Sequence, residues 1–417
     1  MRNMVKCHLC ASVDEGALVS LTKELIRIKR EAPPGEEGRV GAFVASYLEN
    51  CGYRVTLQEA ACERFNVLAM SEERPGPRLL FNGHLDVVPA GDETKWQSMP
   101  YDPQVRDGKL YGRGAADMKG AIACMMYAAR LLREQHIPLS GQLQFLFNVD
   151  EENKNAGLFR YMKEPMRSDA VVVGEATELK AAICHRGVMA VTCTVLGCSA
   201  HASRPGQGIN AITRATLLME KIRRLNEQLA NAPATSCGHG SIEITMISGG
   251  NKVNVIPDDC HFSMDRRLNL METQETCIAQ LEDCVREVRR EIPDFECEFQ
   301  VTAFSPPHEI RPDHPFVLAV QTAVESIVKE ANPPCVFPAT CEAGYFAENL
   351  KCPVIILGPG SIREAHTVDE YVEVSQLTNC VRIYLTLILS QLYKEELFMQ
   401  GEVFERMIPI GARDKNV

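Results

Sequence analysis

Histidine and acidic residues recur in this chain directly after short apolar segments. FNGHLDVVP places His84 and Asp86 after one such segment, and GRGAADMKG places Asp117 just before a long helical pattern. The other members follow the segments QLQFLFNV, AVVVG and PVIILG, and they are Asp150, Glu151, Glu152, Glu175 and His366. Taken singly, each has an ordinary structural explanation, such as a hydrogen-bonded strand-end histidine, an exposed glutamate pair or a helix N-cap. Their recurrence after several strands favours a shared site.

The donor types in this set indicate the kind of metal site. Imidazole and carboxylate ligands without thiolates suit zinc, cobalt or manganese. Several acids that two ions could share suit a pair of metals better than a single ion. Two ions about 3.5–4 Å apart can activate a water molecule while one of them polarises a carbonyl group. The chemistry that these residue types favour is therefore metal-assisted hydrolysis.

Such a site needs a sheet that brings several strand ends together. The sequence predicts buried strands at 79–82, 142–149, 170–174 and 353–358, with a helix over 118–135 between the first two. Alternating strands and helices predict an α/β fold with a mainly parallel sheet and helices on both faces. Because ligands bind at the carboxyl ends of such strands, we expect the histidines and acids at one edge of one sheet.

The middle of the chain follows a different pattern. Strand character at 188–196, 241–247 and 260–268 is interleaved with two long amphipathic helices at 211–229 and 275–291. A chain of 417 residues also exceeds one ordinary core, which favours two domains. We therefore predict a discontinuous catalytic, metal-binding domain over 1–182 and 302–417, with a smaller α+β domain inserted over 183–301.

Composition argues against several classes of function. The formal net charge is −11, and no cluster of Lys and Arg provides the basic surface that nucleic-acid binding needs. No window approaches the roughly 18 apolar residues of a membrane span, and the N-terminal segment lacks a signal-peptide pattern. We therefore expect a cytoplasmic protein without membrane or nucleic-acid partners. The 17 cysteines, an odd number, are expected to be reduced thiols rather than a disulfide framework.

Five segments resemble the M20 metallopeptidase family of aminoacylases, carboxypeptidases and deacylases. In chain order they are GHLDVVP, YGRGAADMKG, NVDEEN, VVGEAT and AHTVDEYV, within a similarity that spans residues 15–393. The resemblance implies a zinc-peptidase-like catalytic domain, two divalent metal ions and hydrolysis of a linear amide. It implies zinc as the metal, with cobalt as the alternative.

The same resemblance implies a ligand set for the two metals. Asp117 would bridge them with its carboxylate. His84 and Glu175 would complete one site, and Glu152 and His366 would complete the other.

Two further residues have catalytic roles by the same resemblance. Asp86 would hold the imidazole of His84 in the metal-binding tautomer. Glu151 would be the general base, taking a proton from the attacking water and passing it to the departing amine. Neighbouring residues of an extended chain point in different directions, so Glu151 can face the water while Glu152 holds a metal.

The inserted domain resembles the dimerisation, or lid, domain of this family. In GCSAHASRPGQGINAI the resemblance makes His201 a hydrogen-bond donor to the oxyanion in the active site of the partner subunit of a homodimer. In GGNKVNVIPDDCHFSMDRRL it makes Asn254 and Arg267 substrate contacts, with Arg267 clamping a carboxylate. Arg266 is the alternative to Arg267, because the choice depends on the spacing from Asn254.

The last segments resemble acetylornithine deacetylases more than other branches of the family. TCEAGYFAENLKCPVIILGPGSIREAHTVDEYVE carries a Cys and an acid shortly before CP, followed by LGPGS. The favoured function is removal of the acyl group from an N-acyl amino acid, with N-acetylornithine as substrate. DRRL departs from the best-defined members, so succinyl-diaminopimelate desuccinylase and other M20 aminoacylases or dipeptidases remain alternatives. A non-catalytic binding protein with the same fold is the alternative from another class.

Overall fold

The structure is a computed structural model that describes residues 2–29, 31–33, 35 and 37–393. Its helices are α1 (Arg2–Ala11), α2 (Glu15–Arg27), α3 (Gly38–Asn50), α4 (Lys119–Glu134), α5 (Ala156–Tyr161), α6 (Ala211–Asn231), α7 (Gln274–Glu291), α8 (Pro315–Val328), α9 (Ala343–Leu350) and α10 (Val374–Leu392). Its strands are β1 (Arg54–Ala61), β2 (Arg64–Met70), β3 (Arg78–His84), β4 (Gln104–Arg106), β5 (Lys109–Tyr111), β6 (Gln142–Asn148), β7 (Ala170–Val173), β8 (Ala182–His185), β9 (Gly187–Leu196), β10 (Ala200–His201), β11 (Ser241–Gly249), β12 (Val255–Ile256), β13 (Asp259–Leu268), β14 (Cys297–Ser305), β15 (His308–Glu309), β16 (Cys335–Val336), β17 (Val354–Ile356) and β18 (Tyr371–Glu373).

The chain divides into two compact units. The first covers Met1–Ile183, Ile310–Phe337 and Phe346–Val417, of which residues 394–417 lie outside the described part. The second covers Cys184–Glu309 and Pro338–Tyr345. The predicted roles of these regions, catalysis for one and dimerisation for the other, stay predictions.

The first unit is built on a mixed sheet whose centre is parallel. Its strand order is β1-β2-β6-β3-β7-β17, and β8 joins β17 through Ala182. The four strands β6, β3, β7 and β17 run parallel, while β1, β2 and β8 add antiparallel edges. This arrangement confirms the predicted α/β class, and it confines the parallel pairing to the middle of the sheet.

The central strands are apolar on both faces because both faces are covered. Strand β6 buries all seven of its residues, which fits a strand between two layers better than one exposed on one side. On one face, Phe81 and Phe145 stack with ring centroids 6.0 Å apart, and Phe81 also meets Tyr384 of α10. Helix α4 buries thirteen of its sixteen residues, and eleven of these belong to this same core. The strands that end near the predicted site are therefore rigidly supported.

The second unit is a four-stranded antiparallel sheet with two long helices. The strand order is β11-β13-β9-β14, and β9 alternates buried and half-buried residues along its length. Its core also includes the apolar stripes of α6 and α7. Asn210 caps α6, and Thr273 begins α7 with a capping box, so both helices start where their polar caps lie. A short antiparallel ribbon of β10 and β12 lies in the same unit.

Most predicted elements are confirmed, with ends that differ by a few residues. The predicted helix over 118–135 is α4, and those over 211–229 and 275–291 are α6 and α7. Every cysteine lies in the described part and is a free thiol there, and the reduced state of the chain stays a prediction. Among the described helices, none combines the length and apolar character that a bilayer span requires. The cytoplasmic location stays a prediction.

Candidate metal centre

Three of the predicted ligands follow strands of the central sheet. His84 is the last residue of β3, and its partner in the parallel register is Asn148 at the end of β6. Glu152 lies four residues beyond Asn148, and Glu175 lies two residues beyond the end of β7. Neighbouring parallel strands therefore bring these three side chains to the same edge of the sheet, as the sequence predicted.

The other two predicted ligands come from loops. Asp117 lies in the loop that connects β5, a strand of a separate small sheet with β4 and β18, to α4. His366 lies ten residues beyond β17, in the left-handed backbone region with φ of 63°. The expectation that the carboxyl ends of strands in one sheet supply all of these residues was therefore wrong for these two. Long loops bring them to the site instead.

Asp117 lies between the two histidines, with one carboxylate oxygen directed at each. The distance from His84 Nε2 to Asp117 Oδ1 is 3.0 Å, and that from His366 Nε2 to Asp117 Oδ2 is 3.2 Å. His366 Nε2 also donates to Glu152 Oε1 at 3.1 Å, while Glu175 Oε1 lies 3.9 Å from His84 Nε2. The five side chains thus form two groups that share one aspartate.

This arrangement fits a pair of divalent ions. Ligand atoms of His84, Asp117 and Glu152 lie within 4.8 Å of one another, and each is a type that zinc accepts. His84, Asp117 and Glu175 are buried. The negative charge of the two carboxylates is therefore poorly solvated, and a metal cation would offset it. A shared carboxylate with one further acid and one imidazole on each side gives three protein ligands per metal, which leaves positions for water and substrate.

The imidazole of His84 is oriented by the backbone carbonyl of Asp86 and not by its carboxylate. His84 Nδ1 donates to the backbone carbonyl of Asp86 at 3.0 Å, whereas the Asp86 carboxylate lies 3.8 Å away. A proton fixed on Nδ1 leaves Nε2, which faces Asp117, as the atom available to a metal.

The carboxylate of Asp86 instead holds the turn that carries the two glutamates. Its oxygens accept from the backbone N–H groups of Glu151, at 3.2 Å, and Glu152, at 3.0 Å. Burial raises the pKa of Asp86 to about 6, although the charge of His84 acts in the opposite direction. Asp86 therefore links the positions of His84 and of the Glu151–Glu152 pair.

A buried ion network supports the same turn from its other side. Arg64 donates to Glu37 at 2.5 and 2.7 Å and to Asp150 at 2.8 Å. Asp150 has φ of 68°, and its carboxylate also accepts from the backbone N–H of Ala156 at 3.2 Å. Sequence reasoning assigned no role to Glu37 or Arg64, because they are distant in sequence from the motif they support.

The protein's own charges hold the imidazoles protonated and Asp117 ionised. Burial would raise the pKa of Asp117, but hydrogen bonds from His366 and His84 outweigh it and hold the pKa well below its usual range. The hydrogen bonds to Asp117 and Glu152 raise the pKa of His366 to about 10. Burial lowers the pKa of His84, but Asp117 and Glu151 outweigh it and raise the pKa well above its usual value. Metal binding must displace these protons, since a ligating imidazole is neutral.

Glu370 is the principal residue that sequence reasoning left without a role. It is fully buried, and its carboxylate accepts from the backbone N–H groups of Gly114, Ala116 and Asp117 at 2.9–3.0 Å. Arg113 Nη1 also donates to it at 2.6 Å. Glu370 thereby fixes the loop that carries Asp117. The available signal was an acid four residues after His366 in the quoted motif AHTVDEYV, but nothing in the sequence identified its partner loop.

His201 and Asn254 lie together in the second unit. His201 in β10 pairs with Val255 in β12, and the backbone N–H of Ala202 donates to the carbonyl of Asn254 at 3.0 Å. The backbone N–H of Ser203 donates to His201 Nδ1 at 3.1 Å, so Nδ1 is an acceptor. The ring proton of the neutral His201 imidazole must therefore be on Nε2.

The two adjacent arginines of β13 lie on opposite faces of their sheet. Arg266 is buried, and it donates to Glu272, to Gln280 Oε1 at 3.1 Å and to backbone carbonyls. Arg267 keeps 35% of its side chain exposed and pairs through two nitrogens with Asp265. The geometry favours Arg267 over Arg266 as a side chain that a substrate can reach.

Comparisons with known proteins show what the whole chain is similar to. The model of Peptidase family M20/M25/M40 matches residues 80–390. The chain is 32% identical over 338 residues to an acetylornithine deacetylase of Salmonella arizonae, covering 79% of this chain and 85% of that protein. An acetylornithine deacetylase of Salmonella enteritidis is also 32% identical, with the same shares covered.

Solved structures show the same fold at low sequence identity. A tripeptidase from Staphylococcus aureus superposes with a TM-score of 0.74 at 21% identity, covering 90% of this chain and 98% of that chain. An M20 metallo-carboxypeptidase from Sulfolobus solfataricus gives a TM-score of 0.73 at 15% identity, covering 90% and 99%. A dinuclear metal-binding M20 peptidase from Bacillus subtilis gives 0.67 at 16% identity, covering 90% and 98%.

Proposed function

Because this chain belongs to peptidase family M20/M25/M40, and is thus an amide-cleaving metallo-hydrolase, we propose that it removes the acyl group from N-acyl amino acids, with N-acetylornithine as substrate. The observation that carries this proposal is Asp117, whose two oxygens are directed at His84 and His366. One carboxylate between two imidazoles can hold two metal ions close together, as two-metal hydrolysis needs.

The proposed cofactor is a pair of zinc ions, with cobalt as the alternative. His84 and Glu175 would hold one ion, Glu152 and His366 the other, and Asp117 both. When bound, the ions would activate water and polarise the amide carbonyl. The donor set of imidazoles and carboxylates supports this choice, because these donors suit zinc and cobalt and no thiolate belongs to the set.

Glu151 is the proposed general base. It takes a proton from the water whose oxygen attacks the amide carbonyl, and it then protonates the nitrogen as the carbon–nitrogen bond breaks. The products are a carboxylate and an amine, so no other reactant is needed. Glu151 is suited to this task because Asp86 holds its backbone, and its carboxylate is near enough to influence His84 electrostatically.

His201, Asn254 and Arg267 are the proposed substrate contacts of the second unit. The ring proton on Nε2 makes His201 able to donate to the oxyanion that forms during attack. Arg267 would bind the substrate carboxylate with its planar fork, in exchange with its contact to Asp265. Asn254 lies directly before β12, and its carbonyl accepts from the backbone N–H of Ala202, next to His201, so the two residues can act together.

We further propose a homodimer in which His201 serves the active site of the partner subunit. Strand β11 is at the edge of its sheet, and its outer half is exposed. Met246 and Ile247 on this strand are 69% and 59% exposed. An exposed edge strand with apolar side chains is a ready pairing surface, and a second copy of this chain would cover it.

A hydrolysis screen tests the proposed substrate. The zinc- or cobalt-loaded enzyme is given acetyl, succinyl, formyl and carbamoyl derivatives of several amino acids, and kcat/KM is measured for each. We expect N-acetylornithine to give the highest value, and we expect a strong chelator to abolish turnover until metal is returned. Glu151→Gln is the inactive control.

Three outcomes would contradict the proposal. A higher kcat/KM for succinyl-diaminopimelate would make the protein a desuccinylase. Turnover that survives the chelator would remove the metals from the reaction, and no turnover of any amide would favour the non-catalytic alternative.

A further inference from the structure

A cavity lies in the first unit at the C-terminal ends of α3 and α4. Its volume is about 720 Å³, within the range of roughly 300–1,000 Å³ that small-molecule sites occupy. We call it the arginine cavity, because Arg74, Arg130 and Arg133 line it together with Tyr47, Leu132 and Ile137. None of these residues belongs to the metal centre.

The arginine cavity has a charge opposite to that of the whole chain. Its lining includes three arginines and His136 but one acid, Glu134. The formal net charge of the chain is −11, so a concave surface with three guanidinium groups is locally positive, even though Arg74 pairs with Glu72 and Arg130 with Glu134. Such a surface attracts anions to one place on an otherwise acidic protein.

Arg133 is held in position by features of the neighbouring helix end. Its Nε donates to the carbonyl of Cys51 at 3.0 Å, and its guanidinium lies 5.8 Å from the ring centre of Tyr53. Gly52 has φ of 78°, and a Cβ there would lie 2.7 Å from Arg133 Nη2. A glycine at this point therefore allows both the turn and the close approach of the guanidinium.

Arg130 and Tyr47 carry polar atoms that make no hydrogen bond to the described residues, although Arg130 Nε forms an ion pair with Glu134. Arg130 lies over the ring of Tyr127 at 4.4 Å, and its Nε is 3.4 Å from Glu134 Oε1. This Nε and the hydroxyl of Tyr47 are covered from solvent, and neither has a hydrogen-bond partner in the described part of the chain. Basic residues at these helix C-termini are explained by their attraction to the negative end of the helix dipole. That attraction does not explain why Arg130 Nε and the Tyr47 hydroxyl lack hydrogen bonds.

We propose that the arginine cavity binds a phosphate-bearing small molecule of nucleotide size. Guanidinium groups match phosphate oxygens in geometry and remain charged at every physiological pH. The apolar side chains of Leu132 and Ile137 provide a surface for the uncharged part of the ligand. Helix α4 has 16 residues and so spans about 24 Å, with Asp117 just before one end and Arg133 near the other. The ligand therefore does not overlap the metal centre.

Calorimetric titration of the metal-loaded full chain with adenosine 5′-monophosphate tests this proposal. We expect saturable binding of one molecule per chain, and much weaker binding of adenosine, which lacks the phosphate. The double substitution Arg130→Gln/Arg133→Gln should weaken binding by roughly tenfold or more, because each guanidinium supplies charge-assisted hydrogen bonds. Arg74→Gln, on an exposed loop, should weaken it in the same direction.

Arg160→Gln is the matched control. Arg160, like Arg130, is 30% exposed and forms an ion pair with a glutamate four residues later, but it does not line the arginine cavity. It should leave binding unchanged. The proposal is overturned if the monophosphate shows no saturable binding up to about 10 mM, a range that detects even weak sites. It is also overturned if the double and Arg74 variants bind as tightly as the wild type while hydrolysing amides normally.

Discussion

Glu151 and Glu152 are neighbours in sequence whose side chains have different surroundings. Glu152 Oε1 accepts from His366 Nε2, which places it in the metal centre. Glu151 is held by the bond from its backbone N–H to Asp86, and its charge raises the pKa of His84. One peptide unit therefore separates a proposed base from a proposed ligand.

Replacing each glutamate by glutamine should separate these two roles. Glu151→Gln should keep two metal equivalents per chain and lose about 10²–10⁴-fold in kcat, because the water loses its base. Glu152→Gln should lose metal as well as activity, because an amide is a poorer ligand than a carboxylate. Metal content by mass spectrometry and kcat are measured on both variants. Turnover of Glu151→Gln at the wild-type rate would remove Glu151 from the role of base.

Glu370 gives a prediction about a residue that touches no predicted metal. Glu370→Gln keeps the shape of the side chain but cannot accept from three backbone N–H groups and Arg113 as a carboxylate does. The loop that carries Asp117 should loosen, and metal affinity should fall by about 10–100-fold. Competition with a chelator measures the affinity. Glu373→Gln, on the exposed side of β18, is the control and should bind metal as the wild type does.

At the scale of elements, β13 presents two arginines to two different environments. Arg266→Gln removes a buried cation and leaves Glu272 unpaired, which should lower the free energy of unfolding by about 3–5 kcal/mol. Arg267→Gln breaks a partly exposed pair with Asp265, which should cost at most about 1 kcal/mol. If Arg267 binds the substrate carboxylate, the main effect of Arg267→Gln should be a higher KM for the substrate. Urea unfolding measures the free energy of unfolding of both variants, and steady-state kinetics measure their KM. An unchanged KM for Arg267→Gln would leave Arg267 without a substrate role.

The sequence predicted elements well where one apolar pattern determined them. Helix α4 and strand β6 are apolar along nearly their whole lengths, and both lie within two residues of the predicted bounds. The positions of the loops that carry Asp117 and His366 could not be predicted, because they depend on contacts between distant segments. Glu370, for example, bonds the backbone of residue 117, which is 253 positions away. No local pattern contains that information.

The details of the candidate site show a similar division. The residue types and motif spacing indicated a histidine–carboxylate centre, and the structure brings His84, Asp117 and His366 into contact. The atom of Asp86 that meets His84 could not be predicted, because it depends on the exact path of the chain after β3. The backbone carbonyl takes that contact, and the carboxylate is left to hold the Glu151–Glu152 turn.

At the scale of the whole molecule, the proposed homodimer makes each active site depend on two chains. Glu151 belongs to the first unit and His201 to the second. If His201 acts in the partner subunit, a chain that lacks His201 still has a functional base, and a chain that lacks Glu151 still has a functional His201. Two inactive variants can then complement each other, which is possible only across an interface between copies.

Mixing Glu151→Gln with His201→Ala tests this arrangement directly. Each homodimer should be inactive or nearly so, with His201→Ala reduced about 100-fold or more by loss of an oxyanion donor. After subunits exchange at equal concentrations, half of the dimers are mixed and each has one complete site, so about a quarter of the wild-type activity should return. Met246→Lys, on the exposed edge of β11, should weaken the dimer in sedimentation and abolish this recovery. If His201 acts within its own chain, the mixture stays as inactive as its components, because neither chain then has both groups.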